Sequence, residues 1–152
     1  MSKRLPHVLG LALLIGSAVV VLAQTEHITA FTGTWTLNPA KSTFNPGPPF
    51  RSFTLTFTPD GTRKLDLIHA DGQPFKASLP WSDGKEVVVA GDVTATSRIE
   101  GRSFRDTWRA DGKIMEQVHG VASPDGRTLT ITVDGTDSQG RAFHNRLKFE
   151  KE

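Results

Sequence analysis

The stretch FTLTFTPDGTRKLDL, residues 53–67, places two alternating runs on either side of an Asp-Gly pair. Before the pair, phenylalanine or leucine alternates with threonine; after it, leucine alternates with a charged residue. Successive side chains of a β-strand point to opposite faces, so each run predicts a strand with one buried face and one wet face. Gly61 supplies the positive φ that a tight hairpin turn requires. The stretch therefore predicts an antiparallel hairpin.

The same pattern continues along most of the chain. Further alternating runs stand at residues 75–81, 93–99, 104–108, 129–133 and 143–149, and Asp-Gly pairs recur at residues 71–72, 83–84, 111–112 and 125–126. A turn about every ten residues is typical of a meander that closes into a sandwich or barrel. Because nearly every connection is short, the chain is predicted to be all-β, an antiparallel up-and-down barrel of about eight to ten strands.

The N-terminus reads as a secretory signal. Lys3 and Arg4 precede an uncharged run at residues 8–21, and Val21 and Ala23 occupy the −3 and −1 positions of a cleavage site after Ala23. The run is shorter than the roughly 20 residues that cross a bilayer, although an uncleaved anchor is the alternative. We expect a signal peptide at residues 1–23, a single barrel domain at residues 24–152, a secreted or periplasmic location and no membrane span after cleavage.

The composition narrows the classes of partner. Residues 1–23 contain two of the 18 Lys and Arg residues and none of the 16 Asp and Glu residues, so the rest of the chain is formally neutral. A neutral chain lacks the basic footprint of a nucleic-acid-binding protein, and none is predicted as a partner. The chain has no Cys, and its histidines stand without zinc-binding spacing, so neither metal nor cofactor is predicted.

The candidate ligand-binding residues lie on the faces predicted to point inward. An apolar cavity needs a few polar groups to orient a ligand, and aromatic side chains to line its wall. Asp106 requires a partner if it is buried, but Arg98, Arg105 and Arg109 alternate onto the outer face. The alternative is that the polar members touch water at a bulge or barrel end. The candidates are His69, Trp81, Phe104, Asp106, Trp108 and Asn145.

Two motifs carry a resemblance to a known family. The first motif comprises Gly33, Trp35, Leu37, Asn38, Lys41, Ser42 and Phe44. The second motif comprises Ser123, Pro124, Asp125, Gly126, Thr128, Leu129 and Thr130, followed by Gly135, Thr136, Asp137, Gly140 and Phe143. The chain resembles a family of small secreted bacterial lipocalin-like, calycin-type proteins of unassigned function. The resemblance implies that Trp35, with Gly33 beside it, closes the base of the barrel, where lipocalins stack a late-strand Arg on the Trp; Arg146 is the late-strand candidate but alternates outward.

The proline-rich segment from Asn38 to Phe50 cannot be a central strand, since proline removes ladder hydrogen bonds. It is long enough to lie across one end of the barrel as a lid. Asn38 and Ser42 are expected to fix it by side-chain to backbone bonds. Lys41, beside Phe44 in the same segment, is expected either to reach an anionic ligand at the mouth or to be solvated.

Three functions remain open at this level. The first is a barrel that binds a small hydrophobic molecule in an internal cavity. The second is a filled barrel that works through its surface as a non-enzymatic, protein-binding module of the cell envelope. The third is an enzyme, but the chain contains no nucleophile elbow, phosphate-binding loop or dinucleotide fingerprint, and no catalytic residue is predicted. The sequence gives no indication of the oligomeric state.

Overall fold

A computed structural model describes residues 28–152 as one sheet of eleven antiparallel strands rolled into a barrel. The first six strands are β1 (Gly33–Leu37), β2 (Thr43–Asn45), β3 (Phe50–Phe57), β4 (Thr62–His69), β5 (Pro74–Pro80) and β6 (Glu86–Ala90). The last five are β7 (Val93–Glu100), β8 (Ser103–Ala110), β9 (Lys113–Ala122), β10 (Thr128–Thr136) and β11 (Ala142–Lys151). A single 3₁₀ turn, Pro39–Lys41, separates β1 from β2. The predicted signal peptide lies outside the described residues.

Ten strands form the wall in the order β5-β4-β3-β1-β11-β10-β9-β8-β7-β6, and β2 pairs with β11. This confirms the predicted antiparallel barrel of eight to ten strands. The sheet is nearly but not fully closed, because its two edge strands, β5 and β6, follow each other in the chain without pairing. We call this unpaired line the seam.

Up-and-down order places alternate connections at opposite ends of the barrel. One end, the base, carries the turns at residues 58–61, 81–85, 101–102 and 123–127. The other end, the mouth, carries the remaining turns and the connection from β1 to β3. At the mouth turn Asp111-Gly112, both residues have positive φ, at 49° and 71°, as a two-residue hairpin turn requires.

The core lies toward the base. Phe31, Trp35, Phe57, Phe104 and Phe149 are almost wholly inaccessible to water. The ring of Phe31 meets that of Phe104 edge to face, with centroids 5.4 Å apart, and lies 5.6 Å from that of Phe57. Such aromatic pairs contribute roughly 0.5–1.5 kcal/mol each beyond their burial. The base is therefore a packed plug.

The expectation of a lid is wrong for most of the Asn38 to Phe50 segment. β1 pairs with β11 only at residues 149–151, and β2 resumes the pairing with β11 at residues 144–146. The segment thus continues the barrel wall where β1 stops. Phe44, paired with Asn145, packs against the core from β2. The preference of the β11 edge for a backbone partner outweighs the local proline content.

Candidate functional site

Trp35 lies at the closed base and is fully buried. Its indole N–H donates to the carbonyl of Phe31 at 2.7 Å. Gly33 has φ +126°, and a Cβ there would meet the Cε atom of Lys151 at 2.6 Å. The Lys151 ammonium lies 5.1 Å from the centroid of the Trp35 ring. A late-strand cation does cover the tryptophan, but it is Lys151; Arg146 is exposed on the outer face.

An ion pair crosses the barrel interior just above the base. The Arg63 Nη1 atom lies 2.7 Å from the Asp106 Oδ2 atom, and the two side chains are only 4% and 2% exposed. Arg63 comes from β4 and Asp106 from β8, so the pair bridges the two sides of the seam. The Arg63 guanidinium also lies 4.9 Å from the Trp81 ring centroid and 5.1 Å from that of Phe104. Both aromatic faces favour the cation.

The sequence analysis missed Arg63 as the partner of Asp106. None of the three arginines considered there has this role, because they lie on the outer face of β7 and β8 as their alternation predicts. The sequence did contain a signal for Arg63. Arg63 stands two and four residues before Leu65 and Leu67, so it lies on the same inward face of the strand. A charged residue on an apolar face is a candidate for a buried pair.

The Arg63–Asp106 pair is incompletely satisfied. Among the described residues, the Arg63 Nε and Nη2 atoms, the Asp106 Oδ1 atom and the Trp81 Nε1 atom are buried without a hydrogen-bond partner. A buried polar group without a partner costs roughly 1–3 kcal/mol. In native proteins roughly nine in ten or more buried polar groups have a partner, so these atoms are exceptions. The floor therefore holds three donor atoms and one acceptor atom that are buried and without partners within residues 28–152.

Inward-facing apolar side chains between this floor and the mouth remain accessible to water. Leu65 is half-buried, although Arg63 and Leu67, on the same face of β4, are buried. Val118 and Val133 face each other across the β9–β10 pairing and are also half-buried. A filled core would cover these positions as it covers those at the base. The inward-facing apolar surface above the floor is therefore only partly covered, although it packs against the core.

A cavity of about 560 Å³ opens along the seam, on the base side. Val87 on β6 and Ile99 on β7 line it from their inward faces, Trp81 lines it from the base turn, and Ile28 and Lys85 also contribute. The cavity therefore lies at the base end of the seam, beside the plug. Its volume falls within the roughly 300–1,000 Å³ of typical small-molecule sites.

Glu116 brings a second carboxyl group to the interior. It pairs with Trp108 on β8 and Gly135 on β10, so it shares their inward face near the mouth. Burial raises the pKa of Glu116 above that of a free glutamate. Phe143 closes the same region, since a Cβ on Gly135 would lie 2.5 Å from its ring. The mouth therefore combines aromatic surface with a carboxyl group that has little access to water.

The other predicted ligand residues divide between the floor, the base and the rim. Phe104 lies in the base plug and Trp81 lies between that plug and the cavity at the seam. Trp108 is half-buried at the mouth. His69 is half-buried at the rim, with its ring 6.0 Å from that of Phe50. Asn145 is buried but occupied, because its Oδ1 atom accepts from the backbone N–H of residue 45 at 3.1 Å.

The predicted lid residues face outward or hold the wall. The Asn38 Oδ1 atom accepts from the Lys41 N–H at 3.2 Å, and the Ser42 hydroxyl donates to the carbonyl of Asn38 at 2.8 Å. Of the two alternatives for Lys41, the structure has the solvated one: its ammonium pairs with Glu150 on the outer surface at 2.5 Å, and its side chain is 65% exposed. Hydrogen bonding from Lys41 lowers the pKa of Glu150. Lys41 follows the bend of the 3₁₀ turn toward β11.

The geometry defines an antiparallel, nearly closed up-and-down β-barrel with a plugged base and a buried polar floor. Within residues 28–152, no helix is long and apolar enough to cross a bilayer, and no cluster of His, Asp and Glu side chains has the geometry of a metal site.

A comparison with solved structures supports the fold. The crystal structure of zebrafish ileal bile acid-binding protein, complexed with cholic acid, superposes with a TM-score of 0.51 at 12% sequence identity. The match covers 81% of this chain and 99% of that chain. No protein-family model matches the sequence, and no curated protein matches it.

Proposed function

We propose that this protein binds a small hydrophobic molecule inside the barrel, with the polar end of the molecule toward Arg63 and Asp106. The observation that carries the proposal is an inward-facing apolar surface that is only partly covered, beside buried polar atoms that have no partner among the described residues. An apolar cavity with a few convergent polar groups is the usual form of a small-molecule site. A solved structure with the same fold, the zebrafish protein, holds cholic acid, which supports the proposal at the level of the fold.

The location is part of the same proposal. A cleaved signal peptide over residues 1–23 places the barrel outside the cytoplasm, in the periplasm or beyond it. Intact mass of the protein purified from the envelope fraction tests this, since cleavage after Ala23 predicts a chain of residues 24–152. A carrier of poorly soluble molecules is useful in such an aqueous compartment.

The experiment that tests binding uses the uncharged dye N-phenylnaphthylamine, whose fluorescence rises in apolar surroundings. Val118→Trp fills the upper interior, and Val121→Trp puts the same side chain on the outer face of β9, where Val121 is 42% exposed. We expect saturable dye binding to the native protein and to Val121→Trp, and loss of at least about tenfold in affinity in Val118→Trp. Equal binding by the two variants, both folded by circular dichroism, would refute the interior site.

A surface-interaction module would call for a contiguous exposed apolar patch. The large exposed apolar side chains of the described residues are Ile68, Val88, Ile114 and Val121. They lie on β4, β6 and β9, which are not neighbours in the sheet. No observation therefore favours the surface-interaction function over the interior site.

A further inference from the structure

We propose that the interior selects an amphiphile whose head group is uncharged and both donates and accepts hydrogen bonds, such as a hydroxyl or a primary amide, over the matching carboxylate. This inference rests on the proposed function and specifies its ligand class. It follows from the atoms that the floor leaves unpaired and from the charges that face the interior.

The unpaired atoms at the floor are of two kinds. Arg63 offers its Nε and Nη2 hydrogens, and Trp81 its indole N–H, while Asp106 offers the Oδ1 lone pairs. A hydroxyl group accepts from a donor and donates to the carboxylate oxygen, so it can satisfy both kinds at once. A carboxylate only accepts, and would leave Asp106 Oδ1 facing a like charge.

The charge balance points the same way. The Arg63 cation is already neutralised by Asp106 at 2.7 Å, and both side chains are removed from solvent. Glu116 adds a second carboxyl group on the inward face of β9, without an ion-pair partner among residues 28–152. Within residues 28–152, His69 on β4 also faces inward, at the rim. A ligand carboxylate would therefore enter an interior with no uncompensated permanent cation, and like charges repel strongly where water does not screen them.

The test compares two amphiphiles that differ only in the head group: dodecanol and dodecanoate. Each displaces N-phenylnaphthylamine from the native protein at neutral pH. We expect dodecanol to compete at least about tenfold better than dodecanoate, which is about 1.4 kcal/mol. Dye binding with equal or better competition by dodecanoate would overturn the inference and leave the proposed function intact. Failure of the dye to bind in the interior would overturn both.

Two variants examine the cause of the preference. Asp106→Asn keeps the shape of the side chain and leaves the Arg63 cation unbalanced, so the preference should reverse toward dodecanoate. If that variant does not fold, Glu116→Gln removes the other inward carboxyl group near the mouth and should strengthen dodecanoate binding several-fold, with dodecanol unchanged. Asp66→Asn, on the exposed face of β4 in a pair with Lys76, is the control for net charge and should change neither ligand. Unchanged selectivity in both inward variants would refute the reasoning.

Discussion

Breaking the Arg63–Asp106 pair from one side should cost far more than replacing it whole. With side chains only 4% and 2% exposed, either partner left alone is a buried charge without solvent to stabilise it. Removing one member of such a pair typically costs about 3–5 kcal/mol. We therefore expect Arg63→Met and Asp106→Leu each to lower the free energy of unfolding by about that amount.

The double variant should be much less damaging than its parts. The native pair already leaves two nitrogens of Arg63 and one oxygen of Asp106 without partners, so its removal also removes those penalties. Apolar replacement of a whole buried pair is often neutral or stabilising. We expect the double variant to lie within about 2 kcal/mol of the native protein.

Urea unfolding followed by tryptophan fluorescence and circular dichroism measures all four corners of the cycle. The expected coupling is at least about 4 kcal/mol, well above the additivity limit for independent sites. Additive losses, or single losses under about 1 kcal/mol as for a surface pair, would show that water reaches these side chains and that the floor is not sealed.

Three further outcomes follow from the packing and the hydrogen bonds. Gly120→Ala should cost about 1–3 kcal/mol in urea unfolding, because its Cβ would lie 2.1 Å from the Phe104 ring, and Phe104→Leu should relieve that additional loss. Glu116 has a raised pKa, so the native state holds its proton more tightly than the unfolded state; stability should fall as pH rises from the unfolded pKa through the folded one, and Glu116→Gln should flatten that dependence in a pH series of melts. Ser42→Ala removes the hydroxyl that accepts from the Lys148 N–H at 2.9 Å and should cost about 1 kcal/mol, whereas an unchanged melt would show that water replaces it.

The barrel could be predicted from the sequence because one face of each strand is exposed to solvent, which makes apolar and polar residues alternate. Alternation and Asp-Gly turns are local signals, and they located most of the wall. Two strands gave weaker signals. β6 reads EVVVA, which does not alternate. In β9 the residue Met115 is a bulge, because Glu116 pairs with Trp108 of β8 while Ile114 pairs with Arg109. A bulge inserts one residue and reverses the parity beyond it, so a strict period-two reading fails there.

The polar floor could be predicted only in part. Asp106 was identified from its own strand, but its partner comes from β4, and no local pattern reports which strands face each other across a lumen. Asn145 and Phe104 were correctly placed on the inward face. The alternation of side chains gives the face of the sheet, but it does not give the position between the base and the mouth. Asn145 is therefore occupied by the backbone of β2, and Phe104 lies in the plug.

The seam between β5 and β6 leaves the barrel wall without hydrogen bonds along one line. A barrel whose strands are all hydrogen-bonded to two neighbours has a fixed circumference. A barrel with one unpaired seam can change its width when the two edge strands move apart, because no hydrogen bond of the sheet is broken. Within residues 28–152, two hydrogen bonds join the base turn at residues 81–85 to β7. The Ser97 N–H donates to the Ser82 hydroxyl at 2.8 Å, and the Gly84 N–H donates to the Ser97 carbonyl at 2.7 Å. The described hydrogen bonds at the seam thus lie near the plug, so under the proposed binding function the barrel can change its width at the mouth to fit ligands of different size.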